Sequence, residues 1–302
     1  MAGSILQVVA MPRPVDFGGG PWTDAWQRLR HGRVAVLCLG VIGILLVLAL
    51  AAPLLSRYES GDIDWNNFAA APSLAGGHWF GTDAIGRDLF VRVLSGLRVS
   101  LLIAALATLV SVAIGVCWGA FAGYAGGRID AAMMRIVDVL YSLPYAFFVI
   151  ALTALFGSSL MLLCIAIGAV SWLTMARIVR GQTLSLRHRE FVDAAVISGV
   201  ATRRILSRHI VPNIIGPIVA YATLLVPQII LLESLMAFLG LGIQEPLSSL
   251  GRLIAEGALA METAPWLLMI PATILVLLLA ALSILGDELR DILDPNAMAK
   301  RA

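Results

Sequence analysis

Charged residues are scarce in this sequence: they make up 13% of its 302 residues, which is about half the share found in soluble domains. Hydrophobic residues make up 60%, and the mean hydropathy is +0.92. A chain with so few polar side chains cannot cover a water-soluble core of this size. The composition therefore excludes a secreted or cytosolic globular enzyme, and glycine and proline follow no period that would indicate collagen.

Cysteine and lysine are rare as well. The three cysteines, Cys38, Cys117 and Cys164, lie far apart, and each falls within an apolar run. Cysteines in such surroundings usually behave as small hydrophobic side chains, so their spacing predicts neither a disulfide framework nor a metal site. Lys300 is the one lysine among 21 basic residues, a bias that we interpret as genome composition.

Long apolar runs, by contrast, are abundant. A helix rises about 1.5 Å per residue, so a run of roughly 20 residues crosses a hydrocarbon core of about 30 Å. The sequence predicts an all-α membrane protein with six transmembrane helices, and Pro217 and Pro227 mark points where the fifth could break. The six predicted spans are 34–55, 99–123, 137–156, 160–176, 213–240 and 264–286.

The distribution of positive charge predicts the orientation of these spans. All 21 basic residues lie outside them, and sixteen fall on one side if residues 1–33 are cytoplasmic. This excess matches the positive-inside rule, which predicts cytoplasmic N- and C-termini. The predicted organisation is a cytoplasmic arm over 1–33, a transmembrane domain over 34–286 and a cytoplasmic tail over 287–302, with no role assigned to 1–25.

The outer segment 56–98 precedes the second span and contains a helical pattern. Apolar residues recur at positions 85, 89, 93 and 97, while Arg87, Asp88 and Arg92 lie off that stripe. The spacing predicts an amphipathic helix that lies at the outer interface and leads into the span.

The cytoplasmic segment 177–212 carries seven arginines but also has the apolar spacing of folded helices. The sequence over 190–198 predicts a short helix with an acidic first turn. Gly199 is predicted to end this helix by adopting the left-handed conformation. Thr202 is predicted to cap a second helix that Pro212 ends. A short helix without a core of its own needs a partner, so we predict a rigid peg that docks into a soluble protein.

Several motifs resemble a known family. Asp193-Ala194-Ala195-x3-Gly199, followed by Ile210-Val211-Pro212, is similar to the EAA loop of ABC-importer permeases, with Asp and Val for the usual Glu and Leu. The chain resembles most specifically the C-type membrane subunit of the dipeptide/oligopeptide/nickel branch, from about residue 30 to 296. The further motifs are Phe80-Gly81-Thr82-Asp83-x2-Gly86-Arg87-Asp88, Arg98-Val99-Ser100-Leu101, Gly127-Arg128-Ile129-Asp130, Arg189-Glu190-Phe191-Val192, Glu233-x4-Phe238-Leu239-Gly240 and Leu285-Gly286-Asp287-x-Leu289-Arg290-Asp291-x2-Asp294-Pro295.

The resemblance implies a type I ABC importer permease fold in a bacterial inner membrane, with no catalytic residue, cofactor or metal in this chain. It implies a B-type second permease subunit, two ATP-binding subunits that hold ATP and magnesium, and an extracytoplasmic solute-binding protein. The expected solute is a di- or oligopeptide, with nickel complexes or glutathione-like compounds as alternatives. The residues to which the resemblance assigns ATPase coupling are Arg189, Glu190, Phe191, Asp193, Ala194, Ala195, Gly199, His209 and Pro212.

Some of these residues have simpler interpretations. Arg189 either pairs with an acidic site on the ATPase or only follows the positive-inside rule. For His209, a hydrogen bond to loop backbone is the simpler interpretation.

Inside the spans, Glu233 is the acidic residue farthest from a boundary, and an intramembrane carboxylate indicates a functional site. It is predicted to form a structural or gate hydrogen bond, with solute contact as the alternative. Asp138 is predicted to pair with Arg135. Three glycines share one face of the second span, which predicts close helix packing: Gly115, Gly119 and Gly123.

Other classes of function have less support from the residues. An ion-coupled secondary carrier usually has repeats and midplane acids, and only Glu233 approaches that pattern. A membrane enzyme is not indicated, because the four histidines do not cluster and no zinc-protease or serine-triad arrangement lies within a span. Nucleic-acid binding is not indicated either, since no aromatic residues alternate with the arginines. No Walker A motif is present, so ATP hydrolysis is expected in partner chains.

Overall fold

The structure is a computed structural model that describes residues 21–73, 77–156 and 159–293. Residues 1–20 of the predicted arm and 294–302 of the predicted tail lie outside the described residues. The helices are α1 (Pro21–His31), α2 (Arg33–Leu55), α3 (Leu89–Ala125), α4 (Gly127–Ser142), α5 (Tyr145–Phe156), α6 (Leu160–Arg187), α7 (Glu190–Ile197), α8 (Thr202–Ile205), α9 (Ile215–Phe238), α10 (Leu250–Leu259) and α11 (Trp266–Leu293).

Within the described residues, five helical stretches are long and apolar enough to cross a membrane. They are α2, α3, α6, α11 and the continuous stretch Thr202–Phe238 that ends with α9. Each covers one of the predicted spans to within two residues, so five of the six runs are confirmed as long apolar helices. α9 continues through both Pro217 and Pro227, and the break suggested for the fifth span is absent.

The predicted third span, 137–156, is not one continuous helix. α4 ends at Ser142 and α5 begins at Tyr145, because Leu143 adopts extended dihedral angles (φ −81°, ψ 136°). The residue before a proline disfavours the helical region, and Pro144 itself has no N–H to donate. Pro144 therefore divides the run into two helices, neither of which reaches the length of a single crossing.

α3 and α6 form the closely packed centre of the bundle, as the glycine stripe predicted. A β-carbon on Gly119 would lie 2.4 Å from the carbonyl oxygen of Ala176, and one on Gly115 would lie 2.6 Å from Met175 Cβ. From the other side, a β-carbon on Gly168 would lie 2.8 Å from Val110 Cβ. Small residues let the two backbones approach this closely, which maximises van der Waals contact without a hydrophobic driving force in lipid.

The remaining long helices pack around this pair. α9 contacts both α3 and α6, and α11 packs against α9, α10 and α2. α1, within the predicted arm, contacts α2 and α11. The α3–α6 pair therefore connects the α4–α5 side of the molecule to the α9–α11 side.

The amphipathic helix predicted in 56–98 is not present as a separate element. The chain from 77 to 88 is a set of turns with isolated bridges between Thr82 and Asp88 and between Ile63 and Arg87. Helix α3 begins at Leu89, where the side chain of Asp88 accepts a hydrogen bond from the N–H of Val91 at 2.9 Å. From there the helix continues to Ala125 without interruption, so its first turns belong to the long apolar helix and not to an interfacial one.

Candidate functional site

The short helix α7 has one anchored face and one open face. Val192 and Ala195 are buried against the bundle. On the other face, Phe191 and Ile197 are 41% and 86% exposed, and Ala194 is exposed between them. The helix predicted over 190–198 is thus confirmed to within one residue. Its outer face is apolar, and none of the described residues of this chain covers it.

Gly199 ends α7 in the left-handed conformation, as the sequence predicted, with φ at +72°. The N–H of Gly199 donates to the carbonyl oxygen of Val196 at 3.0 Å. The N–H of Val200 donates to the carbonyl oxygen of Ala195 at 3.1 Å. These two bonds satisfy carbonyl groups at the end of the helix. The turn therefore holds α7 at a fixed angle to the chain that follows.

The chain after Gly199 differs from the prediction in two details. Ala201 and not Thr202 is the N-cap residue of α8, and no side chain caps this helix. Pro212 does not end a helix, because α8 continues through a π-helical stretch, Leu206–Ile210, and a 3-10 turn, Val211–Ile214, directly into α9. Proline is tolerated here since the first turn of a helix does not need its N–H.

The predicted coupling residues fall into two groups. Those from 189 to 199 share α7 and its ends, with Arg189, Glu190 and Asp193 exposed. His209 lies in the π-helical stretch, where its carbonyl oxygen accepts a hydrogen bond from Asn213 Nδ2 at 2.6 Å, and Pro212 is exposed beyond it. The structure therefore gathers the first group on one surface and places the second on the stretch that leads into α9.

Two ion pairs tie α4 to α6 at the end of the bundle that carries α7. Arg180 binds both carboxylate oxygens of Asp130, at 2.5 and 2.6 Å. Arg177 donates to Asp138 at 2.9 Å and lies 4.2 Å from the ring centroid of Tyr141. The predicted pair of Asp138 with its helix neighbour at position 135 is wrong, because the closer cation comes from α6.

Glu233 is fully buried where α9 meets α3 and the start of α10. Ser100 Oγ donates a hydrogen bond to Glu233 Oε2 at 3.1 Å and accepts one from the N–H of Leu250 at 3.2 Å. The carboxyl group thus takes part in a contact that joins three helices.

A network of charged side chains joins the outer segment to the chain around α10. Arg92 donates to Asp83 Oδ2 at 2.6 Å and to Glu256 Oε2 at 2.9 Å. Arg87 donates to Asp83 at 2.7 Å and to Glu245 at 2.8 Å. The two segments are therefore held together by buried and half-buried ion pairs, although they lie more than 150 positions apart in sequence.

Hydrogen bonding lowers the pKa of two carboxyl groups in this outer region. The hydrogen bond from Arg87 holds the pKa of Glu245 below its ordinary value, and the charge of Arg252 adds to the effect. The pKa of Asp64 is lowered by hydrogen bonds from the Asn67 side chain, the Asn66 backbone and His78. Both groups therefore bind a proton less readily than an ordinary carboxyl group, and Glu245 keeps its charge in the network to a lower pH.

A cavity of about 600 Å³ lies between α4, α6 and α9. Leucine side chains from all three helices line most of it, and the polar lining consists of Tyr141, Ser171, Thr174 and Gln228. Glu233 is not among the lining residues. The volume falls in the range of small-molecule binding sites.

Comparison with protein families identifies the architecture. The family described as "Binding-protein-dependent transport system inner membrane component" matches residues 115–298. The chain belongs to this family. A second family, described as "N-terminal TM domain of oligopeptide transport permease C", matches residues 20–72. Together with five long apolar helices, this identifies the permease as a multi-pass bacterial inner-membrane transport component and not an enzyme.

Curated relatives cover most of the permease. It is 51% identical over 279 residues to the oligopeptide transport system permease protein OppC of Escherichia coli (strain K12), which covers 92% of each chain. It is 49% identical to OppC of Haemophilus influenzae, covering 92% of this chain and 90% of the relative. The dipeptide transport system permease protein DppC of Bacillus subtilis is 42% identical, over 90% of this chain and 85% of the relative.

A solved structure supports the fold. The permease matches a chain of the MetNI methionine ABC transporter in an inward-facing conformation, with a TM-score of 0.55 and 15% identity. The match covers 65% of this chain and 94% of the other. At this identity the match shows the fold alone, which is that of type I ABC permeases.

Two features around the central helices were not predicted from the sequence. One is the cavity between α4, α6 and α9, and the other is Gln228, which lies in its wall. The available signal was a lone carboxamide within an apolar span, which deserved the same weight as the carboxylate of Glu233.

Proposed function

We propose that this permease is the C-type membrane subunit of an ATP-driven importer of di- and oligopeptides. The named function of its OppC and DppC relatives supports the solute class. The observation that carries the coupling role is α7, whose buried face fixes it to the bundle while its apolar outer face is free.

The proposed assembly contains a B-type permease subunit, two ATP-binding subunits and an extracytoplasmic solute-binding protein. The two permeases each form half of the path. ATP and magnesium bind to the partner ATPases, whose closure moves α7. Since α7 continues through a rigid turn into the stretch that becomes α9, its displacement is transmitted to the helices that line the path.

The proposed topology has cytoplasmic termini and six crossings. α4 and α5 together make the third crossing around the break at Pro144, which restores the even number of crossings that this topology requires. The outer network around Arg92 then faces the solute-binding protein, and α7 faces the ATPases.

The test of the coupling role is the substitution Ala194→Arg in the complete importer, reconstituted in liposomes. Because Ala194 lies on the open face, a long charged side chain there blocks close approach of the ATPase while leaving the bundle intact. We expect ATP-dependent peptide uptake to fall at least tenfold, with the protein still inserted in the membrane. Asp193→Asn, which removes only a charge, should weaken uptake without abolishing it.

Ala131→Arg is the matched control, since Ala131 is an exposed alanine in α4 near the same end of the bundle. Near-normal uptake by Ala194→Arg with the ATPases bound would contradict the proposal. Loss of uptake on collapse of the proton gradient, with ATP retained, would instead identify an ion-coupled carrier.

A further inference from the structure

The cavity between α4, α6 and α9 combines an apolar wall with a few polar side chains. Its wall is mostly leucine, yet four polar side chains from all three helices face the same space: Tyr141, Ser171, Thr174 and Gln228. The hydroxyl of Ser171 already donates to the carbonyl oxygen of Ile167 at 2.9 Å. The polar groups left for a ligand are therefore those of Tyr141, Thr174 and Gln228.

Gln228 is the informative member of this set. It lies near the middle of α9 (Ile215–Phe238), and its side chain is exposed in the isolated chain. None of the described residues forms a hydrogen bond with its carboxamide. A carboxamide at this depth in hydrocarbon would leave two donors and an acceptor unsatisfied, which lipid cannot correct. The face of α9 that carries Gln228 must therefore meet water, protein or a polar solute.

The broken helix opposite Gln228 supports the same conclusion independently. Leu140, Tyr141 and Leu143 line the cavity at the point where α4 ends. Non-helical backbone at membrane depth is tolerated only where it is buried in protein or lines an aqueous space. The interruption before Pro144 and the unpartnered carboxamide thus border the same cavity.

We infer that Gln228 is a specificity-determining residue of the solute path, where its carboxamide binds the main-chain amide of the passing peptide. The inference rests on the proposed function. A carboxamide places one of its two N–H donors beside its carbonyl acceptor in one plane, which matches the N–H and C=O of a single residue in an extended peptide. Because no charged side chain among the described residues lines the cavity, binding there depends on the peptide backbone and not on the charge of the peptide's side chains.

The test uses the complete importer in liposomes and two probes, tetraalanine and its analogue N-methylated at the central amides. Gln228→Leu should slow uptake of tetraalanine about three- to tenfold, the range expected for one or two lost hydrogen bonds. The analogue keeps its carbonyl oxygens but offers no central N–H, so the ratio of variant to wild-type uptake should be closer to one for it than for tetraalanine. The solute-binding protein is the same in both importers, and its own preference cancels in this ratio.

Two further variants sharpen the test. Gln228→Asn keeps the carboxamide and should restore part of the lost uptake. Gln182→Leu is the matched control, since Gln182 lies on α6 outside the cavity lining. Its uptake of both probes should equal that of the wild type.

Three outcomes would overturn the inference. Equal uptake of tetraalanine by Gln228→Leu and wild type would show that the carboxamide does not touch the peptide. An equal loss for both probes would show that Gln228 accepts no hydrogen bond from a central N–H of the peptide. Failure of Gln228→Leu to insert, or to retain the second permease subunit, would identify Gln228 as a structural or subunit contact. Absence of peptide uptake by the wild-type importer would contradict the proposed function instead.

Discussion

Asp83 and Arg92 form an ion pair with an N–O distance of 2.6 Å, although their side chains are only 8% and 3% exposed. Arg92 lies in the first turn of α3, and its second bond, to Glu256, reaches α10 at 2.9 Å. One guanidinium group therefore fixes the outer segment and α10 to the same helix end. Breaking a buried pair costs more than the pair contributes, because the remaining charge is left without a partner.

Arg92→Met should therefore destabilise the outer end of the permease. The substitution keeps much of the side-chain volume but removes one of the two cations paired with the buried Asp83 carboxylate, which retains Arg87 and the N–H of Ile85. We therefore expect a loss of about 1–3 kcal/mol, which is smaller than the roughly 3–5 kcal/mol of a fully unpaired buried charge. Thermal unfolding of the purified protein in detergent, followed by tryptophan fluorescence, measures the effect. Arg57→Met is the control, since Arg57 is exposed and belongs to the same outer segment. Unfolding of both variants at the wild-type temperature would refute the importance of the pair.

The burial of Arg92 also shows where sequence reasoning reaches its limit. Long apolar runs predicted five helices correctly, because a lipid-facing helix must be apolar over its whole length. The predicted stripe assigned Leu89, Val93 and Leu97 to an interfacial helix, whereas the structure buries all three in the core of the bundle. The stripe also left Arg92 on the polar side of that helix, since its partner Glu256 lies 164 positions away and local spacing contains no information about such a pair.

The coupling segment was predicted more accurately than the third span. The bounds of α7 follow from local signals, an acidic first turn and a glycine at the left-handed end, and both act within a few residues. In 137–156 the apolar length favoured one crossing, while Pro144 favoured a break. The break prevailed because nearby helices and the cavity accommodate interrupted backbone, which is a tertiary effect.

The close approach of α3 and α6 makes a second prediction. Gly119→Ala places a methyl group 2.4 Å from the carbonyl oxygen of Ala176, so α3 and α6 must separate at this point to make room for it. We expect a destabilisation of about 1–3 kcal/mol, typical of overpacking. Detergent melting and the yield of the monodisperse protein report it.

Gly181→Ala is the matched control for this substitution. Gly181 lies in α6 as well, but a β-carbon there meets nothing within 4 Å. Since alanine favours the helix more than glycine does, this variant should be as stable as the wild type or slightly more stable. Equal melting temperatures for the two alanine variants would mean that the backbones are not in contact at Gly119.

Ser100 provides the last prediction, because its hydroxyl links α3 to α9 and α10 in a fully buried position. Ser100→Ala removes the donor to Glu233 and the acceptor for the N–H of Leu250. Each buried polar group left unsatisfied costs about 1–3 kcal/mol, so a marked loss of stability is expected. Ser95→Ala, which changes a less buried serine on the same helix, should have little effect.

A double-mutant cycle separates the contact with Glu233 from the contact with Leu250. If the hydrogen bond to Glu233 matters, Glu233→Leu should lose less stability in the Ser100→Ala background than in the wild type, with a coupling energy of about 0.5–3 kcal/mol. Strict additivity of the two substitutions would show that the carboxyl group draws its stabilisation from elsewhere. The cycle therefore measures whether the buried carboxylate in α9 holds the three helices together through Ser100.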